Sequence, residues 1–440
     1  MSLLLKNCKR IVTMNQDEAV LEAADILIEG RDIARVGRLN ADESVGAPDT
    51  RVIDATGLTA IPGLVQTHVH LCQTGLRNTA DDRELLDWLK YSVWPGEGAL
   101  DRAALRLAAR MGIAELLRGG TTCILDMATM RYTEEVLEAM RESGLRGITG
   151  KCLMDDRDIC PPELVEDTRD ALVETERLVA DWHGAEEGRI GVAITPRFAV
   201  SCTHELLEAC IAVADAGGLL IHTHASENRA EIELVRRKTG LGNLEYFEKL
   251  GLLSPRACLA HCVHLEPGDM ERLRDSQASV LHCPTSNLKL ASGVAPIPEM
   301  IDAGVRVSIG ADGAPCNNRL DAFSEMRLAA LVHKPAFGAR AMPAREVFRL
   351  MTVEGARTLG LDHEIARLEP GYRADVVLID LEQEHTMPAD NVYAALVYAA
   401  RASDVSHVIV GGRVLVDAGQ LTYADLNEWK REFTATFSGR

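Results

Sequence analysis

The chain has 440 residues, 47% of them hydrophobic and 26% charged, with a formal net charge of −19. Such a length and apolar share build a large core and exclude a disordered or fibrous protein. The acidic balance argues against a nucleic-acid partner, which needs clustered Lys and Arg.

The amino-terminal MSLLLKNCKRIV is charged too early for a secretory signal, and no apolar run reaches the length of a membrane span, so no membrane partner is expected. From Leu3 to Asp54 the residues read as strands and turns: LLLKNCKRIVTM, ADILIEGRDIARVG and TRVIDATG. The Glu29–Asp32 turn between alternating segments predicts a hairpin. The same texture returns in ADVVLIDL and SDVSHVIVGGRVLVDAG. Two β-rich ends predict a small composite β-sandwich from residues 1–58 and 365–425, with 426–440 as a tail or helix.

The middle, residues 59–364, alternates short apolar runs with amphipathic stretches, the signature of parallel βα units. Eight runs follow in order: LTAIPGLVQTHVH, TTCILDM, GITGKCLMD, RIGVAITPRF, GLLIHTHASE, ACLAHCVHL, ASVLHCP and VRVSIGADG. Eight such units predict an α/β fold, a (β/α)8 TIM barrel, whose chemistry sits at the C-terminal ends of its strands. The eleven cysteines are scattered without a C-x-x-C and read as reduced thiols in a cytoplasm.

Those strand ends carry the informative residues. His68 and His70 close strand one, two apart and so on one face. Arg197 closes strand four. His222, His224 and Glu227 follow on strand five, His261 and His264 on strand six, His282 on strand seven and Asp312 on strand eight. Seven of the 13 histidines in the chain lie at these ends, which points to a metal site. His68, His70, His224 and Asp312 make a set of three imidazoles and a carboxylate. Such donors suit one zinc ion, with iron(II) as the alternative. Strand four offers no lysine to bridge two metals, and Lys151 on strand three reads as a salt-bridge partner. His222, His264 and His282 read as supporting or packing histidines.

Together HVH, HASE, AHCVHL and GADG resemble the amidohydrolase superfamily, in its aromatic-heterocycle deaminase branch. The similarity runs nearly end to end and includes LGLDHEIARLEPGYRADVVLIDL. It implies hydrolytic replacement of a ring amino group by oxygen, with release of ammonia. Glu227 is then expected to shuttle the proton to a ring nitrogen, His261 to orient attack, and Asp312 to ligate the metal and relay the second proton.

The substrate motifs pull two ways. TPRF with Arg197 and Phe198, and HLCQ with Gln73, resemble the pocket of guanine deaminases. ADDRELLDWLKYSVWPGE, HCPTSNLKLASG and IGADGAPCNNRLDAFSEMRLAAL resemble deaminases of 5′-deoxyadenosine, methylthioadenosine and S-adenosylhomocysteine. There the acid matching Glu97 holds ribose hydroxyls, while Trp94 or Trp88 is a candidate to stack on the base. The adenosylhomocysteine type carries a histidine where Arg197 stands. The expected ligand is therefore a small purine or related heterocycle, first a 5′-modified adenosine. Guanine, a pterin or a chloro-s-triazine is the alternative. A homo-oligomer is compatible with the sequence.

Overall fold

The structure, a computed structural model, describes residues 2–39 and 50–438. Strands from both ends of the chain join one nine-stranded sheet. Its order is Gln420–Leu421, Arg413–Asp417, Val405–Val410, Val376–Asp380, Leu58–Pro62, Ser2–Val12, Val20–Glu29 and Asp32–Gly37, with Arg51–Asp54 pairing with Ser2–Val12. The expected hairpin forms between Val20–Glu29 and Asp32–Gly37, with Gly30 taking the turn at a φ of +63°. The period-2 alternation of strand residues serves two cores. Ala60, Val376 and Leu378 face a core confined to the sheet, whereas Ile61, Val377 and Ile379 join the core of the rest of the molecule.

The middle of the chain builds a run of parallel strands. Leu64–His70 pairs with Thr121–Met127, which pairs with Arg146–Gly150, which pairs with Ile190–Val192. Parallel bridges Ile194–Ile221 and Phe198–His224 lead to Ile221–Ala225. From there the order runs through Ala257–His261 and Ser279–His282 to Arg306–Ile309, and Asp312–Gly313 pairs back onto Val69–His70. Helices separate the strands, among them Arg102–Arg118, capped by Asp101, and Arg229–Thr239, capped by an Asn228–Glu231 box. The whole is a mixed α/β fold.

One expectation divides differently. The run LTAIPGLVQTHVH contributes Leu58–Pro62 to the terminal sheet and only Leu64–His70 to the parallel strands. The crossing is at Gly63, where any Cβ would lie 1.9 Å from the Thr122 hydroxyl, so only glycine lets the two segments pass. Downstream, the Leu426–Phe437 helix occupies the region expected to be a tail or helix.

A buried ion pair joins sheet and parallel strands. Arg146 Nε donates to Asp375 Oδ2 at 2.7 Å and its Nη2 to Asp375 Oδ1 at 3.1 Å, and the Gly411 N–H donates to the same Oδ1 at 2.7 Å. Breaking a buried pair leaves a bare charge in a low dielectric. Arg146→Met is expected to cost about 3–5 kcal/mol in urea denaturation, and adding Asp375→Leu is expected to recover much of it.

Candidate metal centre and substrate cavity

His68 and His70 leave the end of the Leu64–His70 strand on one face, and their ring centroids lie 4.9 Å apart. His224 arrives from the Ile221–Ala225 strand, His261 from the end of Ala257–His261, and Asp312 from the short strand that pairs with Val69. All five are buried except His224, which is partly so. His261 and Asp312 hold φ of +76° and +64°. Side chains other than glycine accept that region only where the surroundings over-determine it, as at functional sites.

Hydrogen bonds to the outer ring nitrogens fix the tautomers. His70 Nδ1 meets the Met127 carbonyl at 2.8 Å and His224 Nδ1 meets the Arg197 carbonyl at 2.6 Å. A carbonyl only accepts, so each Nδ1 carries the hydrogen and each Nε2 presents a lone pair. Yet those two Nε2 atoms stand 3.3 Å apart. Burial, with the neighbouring His68, holds the His70 pKa down to about 4 and that of His224 well below the usual value, so a shared proton is disfavoured. Two facing lone pairs in a dry site call for a cation. His68 Nε2 and His70 Nε2 each lie 3.4 Å from Asp312 Oδ1, and His68 Nε2 has no hydrogen-bond partner among the described residues. His68 Nδ1 is held by His222 Nε2 at 2.7 Å. The ligand atoms of His68, His70 and Asp312 lie within 4.8 Å of one another, as do those of His68, His224 and His261. The residues therefore fit a divalent ion with imidazole and carboxylate donors.

Glu227 stands beside this cluster. Glu227 Oε2 is 3.6 Å from His261 Nε2, and Ser292 donates to Glu227 Oε1 at 3.3 Å. Burial pushes the Glu227 carboxyl up to about 7, which suits a group that takes and returns a proton near neutrality. Burial opposes a charged His261, but the Glu227 and Asp312 carboxylates outweigh it and raise its pKa. Asp312 Oδ2 accepts from Ser286 at 2.6 Å and Oδ1 from the Gly313 N–H at 2.7 Å.

A narrow cavity opens over the cluster, lined by His70, Gln73, Trp88, Arg197, Phe198 and Glu227 among others. Glu97 sits one layer behind. It accepts from Gln73 Nε2 at 2.8 Å and from Arg197 Nη1 and Nη2 at 2.8 and 3.2 Å. Trp94 does not reach this cavity; it lines a neighbouring one that shares Phe198, and Trp88 takes the place over the site. Of the other histidines, His264 Nε2 bonds the Ser292 carbonyl at 2.7 Å, and His282 packs 5.4 Å from the ring of His333. Lys151 is buried between Glu166 and Glu174 at 2.7 and 2.8 Å, away from the cluster.

Several contributors escaped the sequence reading. Asp126 fixes the turn after His70 by accepting the Leu71 N–H at 2.8 Å and the Thr149 hydroxyl at 2.5 Å. Glu231 accepts the Glu227 N–H at 2.9 Å. Asn287 Oδ1 accepts from His261 Nδ1 at 2.8 Å. Ser286, Asn287 and Ser292 all lie in the motif HCPTSNLKLASG, which supports these groups as well as bordering the cavity through Leu290.

The Amidohydrolase family matches residues 59–415. The chain belongs to that family. It is 41% identical over 379 residues to a 5-methylthioadenosine/S-adenosylhomocysteine deaminase of Moorella thermoacetica, covering 86% of each chain. It is 39% identical over 406 residues to a 5′-deoxyadenosine deaminase of Methanothermobacter thermautotrophicus, covering 92% of each. Among solved structures, an adenosine deaminase from Xanthomonas campestris with bound zinc superposes with a TM-score of 0.92 at 29% identity, over 99% of this chain and 98% of that one. A triazine hydrolase from Arthrobacter aurescens gives 0.92 at 28% identity, over 99% of both chains.

Metal binding to the folded state alone raises stability by mass action. A chelator is therefore expected to lower the thermal midpoint and added zinc to restore it. In His70→Ala that zinc-dependent rise is expected to disappear in differential scanning fluorimetry.

Proposed function

We propose that the protein is a zinc-dependent hydrolytic deaminase of an amino-substituted purine nucleoside, first of all a 5′-modified adenosine, giving the inosine analogue and ammonia. The observation that carries this is the pair of bare Nε2 atoms of His70 and His224 beside Glu227, in a family whose relatives of 39–41% identity bear the names of such deaminases. His68, His70, His224 and Asp312 hold the ion, with iron(II) as the second candidate. When bound, it supplies Lewis acidity that brings the pKa of water down to about 7.

The chain's own groups do the rest. Glu227 accepts the proton of the attacking water and delivers it to a ring nitrogen, which makes the amine-bearing carbon electrophilic. His261, its Nδ1 held by Asn287, presents Nε2 to the attacking oxygen and orients it. Asp312 passes the second proton to the leaving amine.

Gln73, Arg197, Phe198 and Trp88 border the ring, and Trp94 flanks them. Glu97 accepts three hydrogen bonds from Gln73 and Arg197, and a carboxylate has about four lone-pair sites, so one is left for a sugar hydroxyl. Two of the five N–H donors of Arg197 go to Glu97, which holds the guanidinium in place beside the ring.

The same reading closes the parallel strands into a (β/α)8 barrel of residues 59–364. It folds the terminal sheet into a sandwich of residues 1–58 and 365–425, and sets 426–440 apart as a C-terminal helix. The sheet pairing of Leu58–Pro62 supports moving the first boundary to Gly63. No helix among the described residues is long and apolar enough to cross a membrane. The proposal is completed by a cytoplasmic enzyme, alone or as a homo-oligomer, with no nucleic-acid or membrane partner.

An ammonia-release panel with zinc-reconstituted protein tests it. The panel contains 5′-deoxyadenosine, methylthioadenosine, S-adenosylhomocysteine, adenosine, guanine, a pterin and a chlorotriazine. The greatest kcat/KM is expected on a 5′-modified adenosine. Much faster turnover of guanine would replace the substrate and keep the chemistry, and chloride release from the triazine without ammonia from any purine would overturn the reading. Glu227→Gln is expected to lose about 10²-fold or more in kcat with zinc retained.

A further inference from the structure

Glu325 stands on the Ala322–Val332 helix, outside the substrate cavity, and its side chain is fully buried. A buried carboxylate is costly unless donors surround it. Its donors come from two other segments. Thr285 gives its N–H to Oε2 at 3.3 Å and its hydroxyl to Oε1 at 2.5 Å, and Asn317 gives its side-chain amide to Oε1 at 2.9 Å.

Both segments carry residues that hold the reacting groups. Thr285 lies on the short Pro284–Lys289 helix. The next two residues of that helix are Ser286, which donates to Asp312 Oδ2 at 2.6 Å, and Asn287, which accepts from His261 Nδ1 at 2.8 Å. Asn317 also donates to the Ala311 carbonyl at 2.6 Å, on the residue just before Asp312. Asp312 and His261 are themselves in the left-handed backbone region, which needs outside support.

We propose that Glu325 is a positioning residue for the hydrolytic reaction: through Thr285 and Asn317 it fixes the two turns that aim Asp312 and His261. The inference rests on the proposed function: its kinetic readout rests on the activity and its cobalt readout on the metal site. The carboxylate form matters because all three groups facing it are donors. A glutamine would set its own N–H₂ against either the Thr285 N–H or the Asn317 amide, whichever way it turned.

Glu325→Gln and Thr285→Val, each in zinc and cobalt(II) forms, test the proposal. Visible absorption of cobalt(II) reports its ligand geometry without any substrate. Because small misplacements of reacting groups are costly, kcat per folded, metal-loaded Glu325→Gln enzyme is expected to fall about tenfold or more with KM within about threefold. The cobalt bands are expected to shift, and Thr285→Val to move both readouts the same way by less. A residue that only braces the fold would lower the thermal midpoint and leave kcat per loaded enzyme and the cobalt bands as in the wild type. That result overturns the proposal. If no compound in the panel is deaminated, the functional reading has failed and the cobalt bands alone decide for or against Glu325.

Discussion

The structure depends on two ring nitrogens that ought to repel. His70 and His224 come from strands 154 residues apart in sequence, and each spends its Nδ1 hydrogen on a backbone carbonyl. Each ring is therefore left with an inward lone pair in a site too dry to protonate it. A fold could relieve this by turning either ring, but the carbonyls of Met127 and Arg197 forbid the turn. The parallel strands hold these lone pairs facing one another, and Asp312 places a carboxylate beside them.

Arg197 links this centre to the cavity beside it. Its carbonyl orients His224, and its guanidinium holds Glu97 on the helical segment over the cavity. One residue thus couples the aim of His224 to the placement of Glu97 and, through it, of Gln73. Such coupling explains how a charged side chain at the end of a strand is tolerated in full burial: the bidentate pair with Glu97 satisfies the guanidinium and keeps it charged.

The parts of the site that were legible in the sequence are those governed by period and position. His68 and His70 share a face because strand residues alternate, and Glu227 and Asp312 come two and three residues after the Ile221–Ala225 and Arg306–Ile309 strands. The terminal strands showed themselves by alternation at both ends. Contacts that join distant turns left no such trace: Asp126 under Leu71, Ser286 under Asp312, Glu231 under Glu227. Each is a polar residue whose partner is fixed only once the strands are laid side by side. Of the two candidate indoles, Trp88 and not Trp94 lines the cavity, for a local reason. The π-turn at Leu89–Val93 lies between them and shifts the helical phase, so spacing alone does not tell which indole faces the cavity. Gly63 likewise hid a crossing point, because its role is defined by Thr122, which lies 59 residues on.

The most direct measurement is an anomalous-difference map at the zinc edge from crystals of active protein, with elemental analysis of the same preparation. The account predicts one ion per chain at coordination distance from the Nε2 atoms of His68, His70 and His224 and from a carboxylate oxygen of Asp312. Full activity without an ion there, or with these four side chains turned apart, would contradict it.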